Sequence, residues 1–295
     1  MSAEHVVVGR VEPAARRRAH PLLRFFRRQP VGAAGLVVVL LLLGIALLAP
    51  EITPYDPVAN DFGAQFRSPS LDHWAGTDAY GRDVLSRVIF GARTALLVGF
   101  GASLLGGTLG AVIGVASAYF GGRADLLVQR LVDVMLSFPI IIVALAIVSI
   151  IGTGIDKLVV AIALSFVPRV ERVVRGSALG VRAMTYIEAA QAVGASPGRI
   201  IFRHMAPNVV APYLVMLTAS LGQAILLEAS LSFLGLGVSE PTPAWGLMLR
   251  GAAVDFATRA PWMAIVPGLA ITVTVLAFNV LGDALRDALD PRLRT

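Results

Sequence analysis

The sequence predicts an all-α polytopic membrane protein with six transmembrane helices, and three observations carry that expectation. First, 56% of its 295 residues are hydrophobic and only 15% are charged, against roughly 45–50% and roughly 25% in an average soluble domain. Second, several uncharged stretches are long enough to cross a bilayer. Third, the arginines fall preferentially in alternate connecting segments. The mean hydropathy of +0.76 excludes a disordered chain and argues against an ordinary soluble enzyme. There is no cysteine, which excludes disulfides, thiolate metal sites and cysteine nucleophiles.

The first expected span is residues 31–49, uncharged throughout and preceded by Arg16, Arg17, Arg18, Arg24, Arg27 and Arg28. It exceeds the roughly 7–15 apolar residues of a cleavable signal peptide and reads as an uncleaved first helix. Five more spans are expected over residues 94–119, 129–151, 158–174, 209–234 and 262–281. Pro139, Pro168, Pro212 and Pro267 lie inside or at the ends of these spans, where they can split or bend them. The resulting division is a tail (1–30), a first helix (31–50), an outer loop (51–93), a core of five spans (94–287) and a second tail (288–295).

Orientation follows from the basic residues. With both termini in the cytoplasm, the inner segments hold 18 of the 25 basic residues when Arg130, Arg169 and Arg172, within the adjoining spans, are counted with them, the positive-inside distribution. The net charge of +6 is thereby explained as topology, without nucleic acid.

Within the second span, Ala102, Gly106, Gly110, Gly114 and Ala118 recur every fourth residue. Such a stripe lets another helix approach closely. A ligand-facing groove has the same spacing, but packing is the simpler reading. Asp133 and Glu228 are carboxylates near opposite membrane faces; each can snorkel or pair, or serve as a polar functional site. No mid-membrane relay of carboxylates, histidines and lysines is seen, which argues against a self-contained proton-driven carrier. The four histidines lie outside the spans, so neither a metal site in the pathway nor an intramembrane hydrolase is indicated. The single lysine, Lys157, does not complete a phosphate-binding loop of the form G-x-x-x-x-G-K-[ST], so any ATP must be hydrolysed by another subunit.

The inner loop at 182–208 is the most informative segment. Residues 184–193 are good helix sequence, and Gly194 follows as a residue able to take a left-handed turn. Ser196 then Pro197 signals a second helix start, expected to run to about His204 and to close at Pro207 and Asn208. The expected unit is a helix–turn–helix at the inner surface, with Ile200, Ile201 and Met205 available for packing.

Here the chain resembles a known family. Glu188-Ala189-Ala190, then Gly194, then Pro207 is similar to the EAA loop of bacterial ABC-importer permeases. His204 stands where that pattern usually has an apolar residue, and Ala206 where leucine is common. Residues 73–87 resemble the segment H-x-x-G-T-D-x-x-G-R-D-V-L-S-R that follows the first helix in dipeptide/oligopeptide/nickel permeases. Residues 228–237 (EASLSFLGLG) and 241–246 (PTPAWG) resemble two further signatures. Four segments in this order resemble the second, C-type permease of that branch.

The resemblance implies a type I ABC-importer permease fold and a non-catalytic subunit without cofactors, ATP and Mg being bound by partner subunits. It implies a bacterial inner-membrane location and a loop coupled to cytoplasmic ABC ATPase subunits through Glu188, Ala189, Ala190, Gly194 and Pro207. Glu188 is expected to steady that loop through an ion pair or a charge-assisted hydrogen bond. The other implied partners are a homologous second permease subunit, an extracytoplasmic solute-binding protein and the lipid membrane. The expected solute is a dipeptide or oligopeptide, the alternative being glutathione, nickel or another small solute. Glu51, Asp56, Asp61, Asp72, Asp78 and Asp83 of the outer loop either meet the binding protein or are simply solvated.

Overall fold

The computed structural model describes residues 29–255 and 258–289, and most of both expected tails, with their arginines, lies outside them. The described residues form an α-helical bundle. Its helices are α1 (Pro30–Leu47), α2 (Ala49–Ile52), α3 (Val84–Phe120), α4 (Gly122–Leu136), α5 (Ile140–Ile151) and α6 (Ile155–Arg182). They continue with α7 (Thr185–Ala192), α8 (Pro197–Arg199), α9 (Ala206–Phe233), α10 (Trp245–Asp255) and α11 (Trp262–Leu289).

Four segments are by themselves long and apolar enough to cross a membrane: α1, α3, α8 continued through α9, and α11. The expected third span, 129–151, is not one helix. It divides at Ser137-Phe138-Pro139 into α4 and α5, which meet at 97° and together make a fifth candidate span. Pro139 lacks the N–H that a continuous helix needs and forces the residue before it out of the helical region. The expected fourth span lies within α6. That helix has 28 residues, about 42 Å at helical rise, but Arg169, Glu171, Arg172 and Arg175 in its second half make it less apolar than the other four.

The most extensive helix contact is between α3 and α6, and the glycine stripe makes it. A Cβ built on Gly106 would lie 2.2 Å from the carbonyl oxygen of Ala163. At Gly110 the corresponding atom is the Val167 oxygen at 2.8 Å, and at Gly114 the Glu171 oxygen at 2.7 Å. Both helices advance four residues between successive contacts, so they run parallel. Two parallel helices in register require the chain to return across the same height between them, and α4 with α5 makes that return. By contrast, α9 is antiparallel to α3, with Gly99 against Ile225 and Gly107 against Leu217. The last helix, α11, is antiparallel to α9, with Gly222 against Asn279 and Gly282 against Thr218. Gly35 brings α1 onto α11.

Helix α3 begins ten residues before the expected span, at Val84. Asp83 accepts hydrogen bonds from the Ser86 backbone N–H at 2.7 Å and the Ser86 hydroxyl at 2.8 Å. This N-cap starts the helix outside the apolar stretch that composition detects.

Candidate functional site: a helix–turn–helix loop and a clasp at the opposite end

The loop 182–208 starts where α6 ends. Arg182 donates to the Ala118 carbonyl oxygen at 2.8 Å, tying the end of α6 to the end of α3. After α7 the chain turns through Gly194, whose φ is +81°. The Gly194 N–H donates to Gln191 O at 2.9 Å and the Ala195 N–H to Ala190 O at 3.0 Å. This pair of bonds is the Schellman arrangement, which satisfies carbonyls orphaned at the end of α7. Ser196 then caps the next helix by accepting from the Arg199 N–H at 3.4 Å, with Pro197 in its first turn.

The second helix does not close at Pro207 and Asn208, as expected from sequence. After Arg199 it widens into a π segment, Ile200–Met205, which continues directly into α9. The Ala206 N–H reaches back five residues to Ile201 O. A widened turn of this kind accommodates Pro207, which has no N–H to give and whose ring crowds a regular preceding turn.

The unit is anchored by Ile187, Ile200 and Met205, all fully buried, against Val115 and Ala118 of α3 and Val170, Val174, Ala178 and Val181 of α6. Ile201 is only partly buried. Asn208 donates to His204 O at 2.6 Å and to the Tyr186 hydroxyl at 3.2 Å, linking α7 to the second helix. His204 packs near the Tyr186 ring, with centroids 6.3 Å apart. Away from these anchors the unit is exposed: Glu188, Ala189, Val193, Gly194, Phe202 and Pro207 are all exposed, and Ala190 is half-buried. Glu188 departs from expectation. It is exposed and makes no ion pair or hydrogen bond among the described residues, because the interior side of α7 is taken by Ile187.

At the other end, segments far apart in sequence form a clasp. Arg82 donates to both Glu240 oxygens, at 2.8 and 3.3 Å, and to Asp78 at 2.7 Å. Burial works against its charge, but the hydrogen bonds to Glu240 and Asp78 outweigh it and raise its pKa above the ordinary arginine value. Arg87, fully buried, donates to Pro57 O at 2.8 Å and approaches Glu240 at 3.5 Å. Thr94 donates to Pro243 O, Trp245 to Val88 O and Trp262 to Thr77 O. Asp78 and Asp83 are buried inside this clasp, Asp83 also sharing a hydrogen bond with His73 at 3.0 Å. They are therefore not part of an outward acidic face, whereas Glu51, Asp56, Asp61 and Asp72 are exposed.

Of the two intramembrane carboxylates, Asp133 pairs as expected and Glu228 departs from expectation. Asp133 pairs with Arg172, both about half-exposed. Glu228 does not snorkel and, among the described residues, pairs with no cation: it is fully buried, accepts from the Ser232 hydroxyl at 2.8 Å, and leaves its other oxygen without a partner there. Glu171 escaped the sequence reading because it stands between Arg169 and Arg172 at the edge of an apolar run. It is fully buried and accepts from Gln129 at 2.8 Å.

Residues 85–295 match the family described as "Binding-protein-dependent transport system inner membrane component". Residues 21–69 match the "N-terminal TM domain of oligopeptide transport permease C". The chain is 44% identical over 273 residues to the glutathione transport system permease protein GsiD of Pectobacterium atrosepticum, covering 92% of this chain and 90% of that protein. It is 43% identical over 276 residues to the protein of the same name from an Escherichia coli O6 strain, covering 93% and 91%. In fold it is similar to a chain of the inward-facing MetNI methionine ABC transporter, with a TM-score of 0.53 and 21% identity over 69% of this chain and 96% of the other. The parallel α3–α6 pair, the helix–turn–helix docked beneath it and these matches lead to one conclusion: the chain belongs to the binding-protein-dependent transport system inner membrane component family, as a bacterial multi-pass permease of an ABC importer that is itself non-catalytic and without a cofactor.

Proposed function

We propose that this permease forms half of the pathway through which an importer carries a small peptide of the glutathione kind. The relatives named above are glutathione permeases, and this favours the alternative solute over the general dipeptide or oligopeptide first expected. The observation that carries the mechanistic part is the inner helix–turn–helix, held from within by Ile187, Ile200 and Met205 and exposed on its other face. A rigid loop with an exposed face suits docking onto a moving partner. In this reading Glu188, Ala189, Ala190, Gly194 and Pro207 form the surface that receives ATP-driven motion from a cytoplasmic ATPase. The α3–α6 pair, closed by Gly106, Gly110 and Gly114, passes that motion toward the outer clasp as a stiff unit. Both termini and the loop 182–208 lie on the cytoplasmic side, residues 51–83 face the binding protein, and a homologous second permease completes the pathway.

The test is reconstitution. Purified alone in proteoliposomes, the chain neither hydrolyses ATP nor moves glutathione. With its partner permease, ATPases and binding protein it does both. ATP hydrolysis by the pure chain, or uptake without ATPase subunits, contradicts the proposal.

A further inference from the structure

A cavity of about 730 Å³ opens between α6, α9 and α11. Arg169 of α6, Gln223 of α9 and Asn279 of α11 line it, each in the middle third of a 28-residue helix. Arg169 and Asn279 are exposed and Gln223 is half-buried. An exposed arginine at that depth is costly against lipid, and such residues face a water-filled cavity or the bundle interior. The cavity side is therefore a hydrated pathway rather than a lipid-facing surface.

The chemistry of the lining is one-sided. Arg169 donates to Gln223 Oε1 at 3.0 Å, and that is its single hydrogen bond among the described residues. A guanidinium carries five N–H donors, so most remain available. Among the described residues no carboxylate lines the cavity, and Asp133 is taken by Arg172. Ser220 and Arg286 also border the cavity, Arg286 near the inner end of α11. Arg169 is moreover preceded by Pro168, which removes one backbone hydrogen bond from α6 at this height. The remaining walls are apolar or small, among them Val173, Val215 and Met216.

We propose that Arg169, steadied by Gln223 and flanked by Asn279, is the station at which the pathway receives a carboxylate of the passing solute. A guanidinium fork matches a carboxylate in two parallel hydrogen bonds. With Arg169 as the one charge at this level, Arg286 lying toward the inner end of the cavity, the contact is strong enough to select an anionic group and weak enough to release it. The inference deepens the proposed small-peptide reading and rests on it, because a solute without a carboxylate has no use for this group.

The test uses the complete reconstituted transporter, with glutathione as the probe. Uptake is measured for the unaltered chain and for R169K, R169Q and R169E, with co-purification of the ATPase subunits as the check on assembly. The expected result is a graded loss at preserved assembly: R169K retains intermediate uptake, R169Q falls about tenfold or more, and R169E falls further. Unimpaired uptake in R169Q overturns the station and leaves the peptide reading intact. Equal loss in all three, or loss together with the ATPase subunits, also overturns it, since that is the pattern of a structural role. Failure of the unaltered transporter to take up glutathione or other carboxylate-bearing peptides overturns the peptide reading itself, and the station with it.

Discussion

Arg82 and Glu240 stand 158 positions apart in the chain and meet through two hydrogen bonds, at 2.8 and 3.3 Å. This bond joins the start of α3 to the connection that follows α9, and Arg87 reaches the same carboxylate from one turn further along. This end of the bundle, opposite the loop 182–208, is thus closed by one acidic side chain shared between two arginines.

Glu240→Gln weakens that clasp. Its carboxylate is 44% exposed, so solvent screens the pair, and a coupling on the order of 1 kcal/mol is expected. A double-mutant cycle with Arg82→Ala, followed by thermal unfolding in detergent, measures it. Additive effects of the two substitutions contradict the pairing.

The glycine stripe makes a sharper contrast. Gly106→Ala sets a methyl group against the Ala163 carbonyl and prises α3 from α6, costing about 1–3 kcal/mol. Gly180→Ala, on the same helix as Ala163 but with nothing within 4 Å of its Cβ position, is neutral or stabilising by about 0.5–1 kcal/mol. The two melting temperatures, compared under one condition, decide it; equal responses contradict the α3–α6 packing.

Gly194 and Glu188 separate conformation from contact. Space around Gly194 is open, so Gly194→Val acts through its positive φ alone, at about 1–3 kcal/mol of backbone strain. Glu188 is exposed and unpaired among the described residues, so Glu188→Lys leaves the melting temperature unchanged. Both substitutions nevertheless abolish uptake and weaken retention of the ATPase on affinity purification. Normal uptake in Gly194→Val shows that the loop is a passive connector.

Local chemistry was legible in the sequence and long-range convergence was not. Gly194, Ser196 and Pro197 announced the inner turn because capping and left-handed geometry depend on neighbours a few residues away. The glycine stripe announced a close helix contact but not its partner, which lies more than fifty residues on. The break before α5 was visible only as Pro139, one proline among several tolerated within helices. Asp78 and Asp83 read as surface acids because the fold alone buries them, bringing His73 onto Asp83 and setting Glu240 on the far side of Arg82, the partner of Asp78. Arg169, Gln223 and Asn279 sit on three helices and carry no common signal in sequence.

The central claim is that residues 182–208 dock onto the ATPase at the cytoplasmic face. Because the chain contains no cysteine, a single one can be placed at Glu188 and another, separately, at Asp72, each carrying a short photo-crosslinker in the assembled transporter. The account predicts that Glu188→Cys forms an adduct with the ATPase subunit and that Asp72→Cys does not. An ATPase adduct from Asp72→Cys, or none from Glu188→Cys in a complex that still hydrolyses ATP, contradicts it.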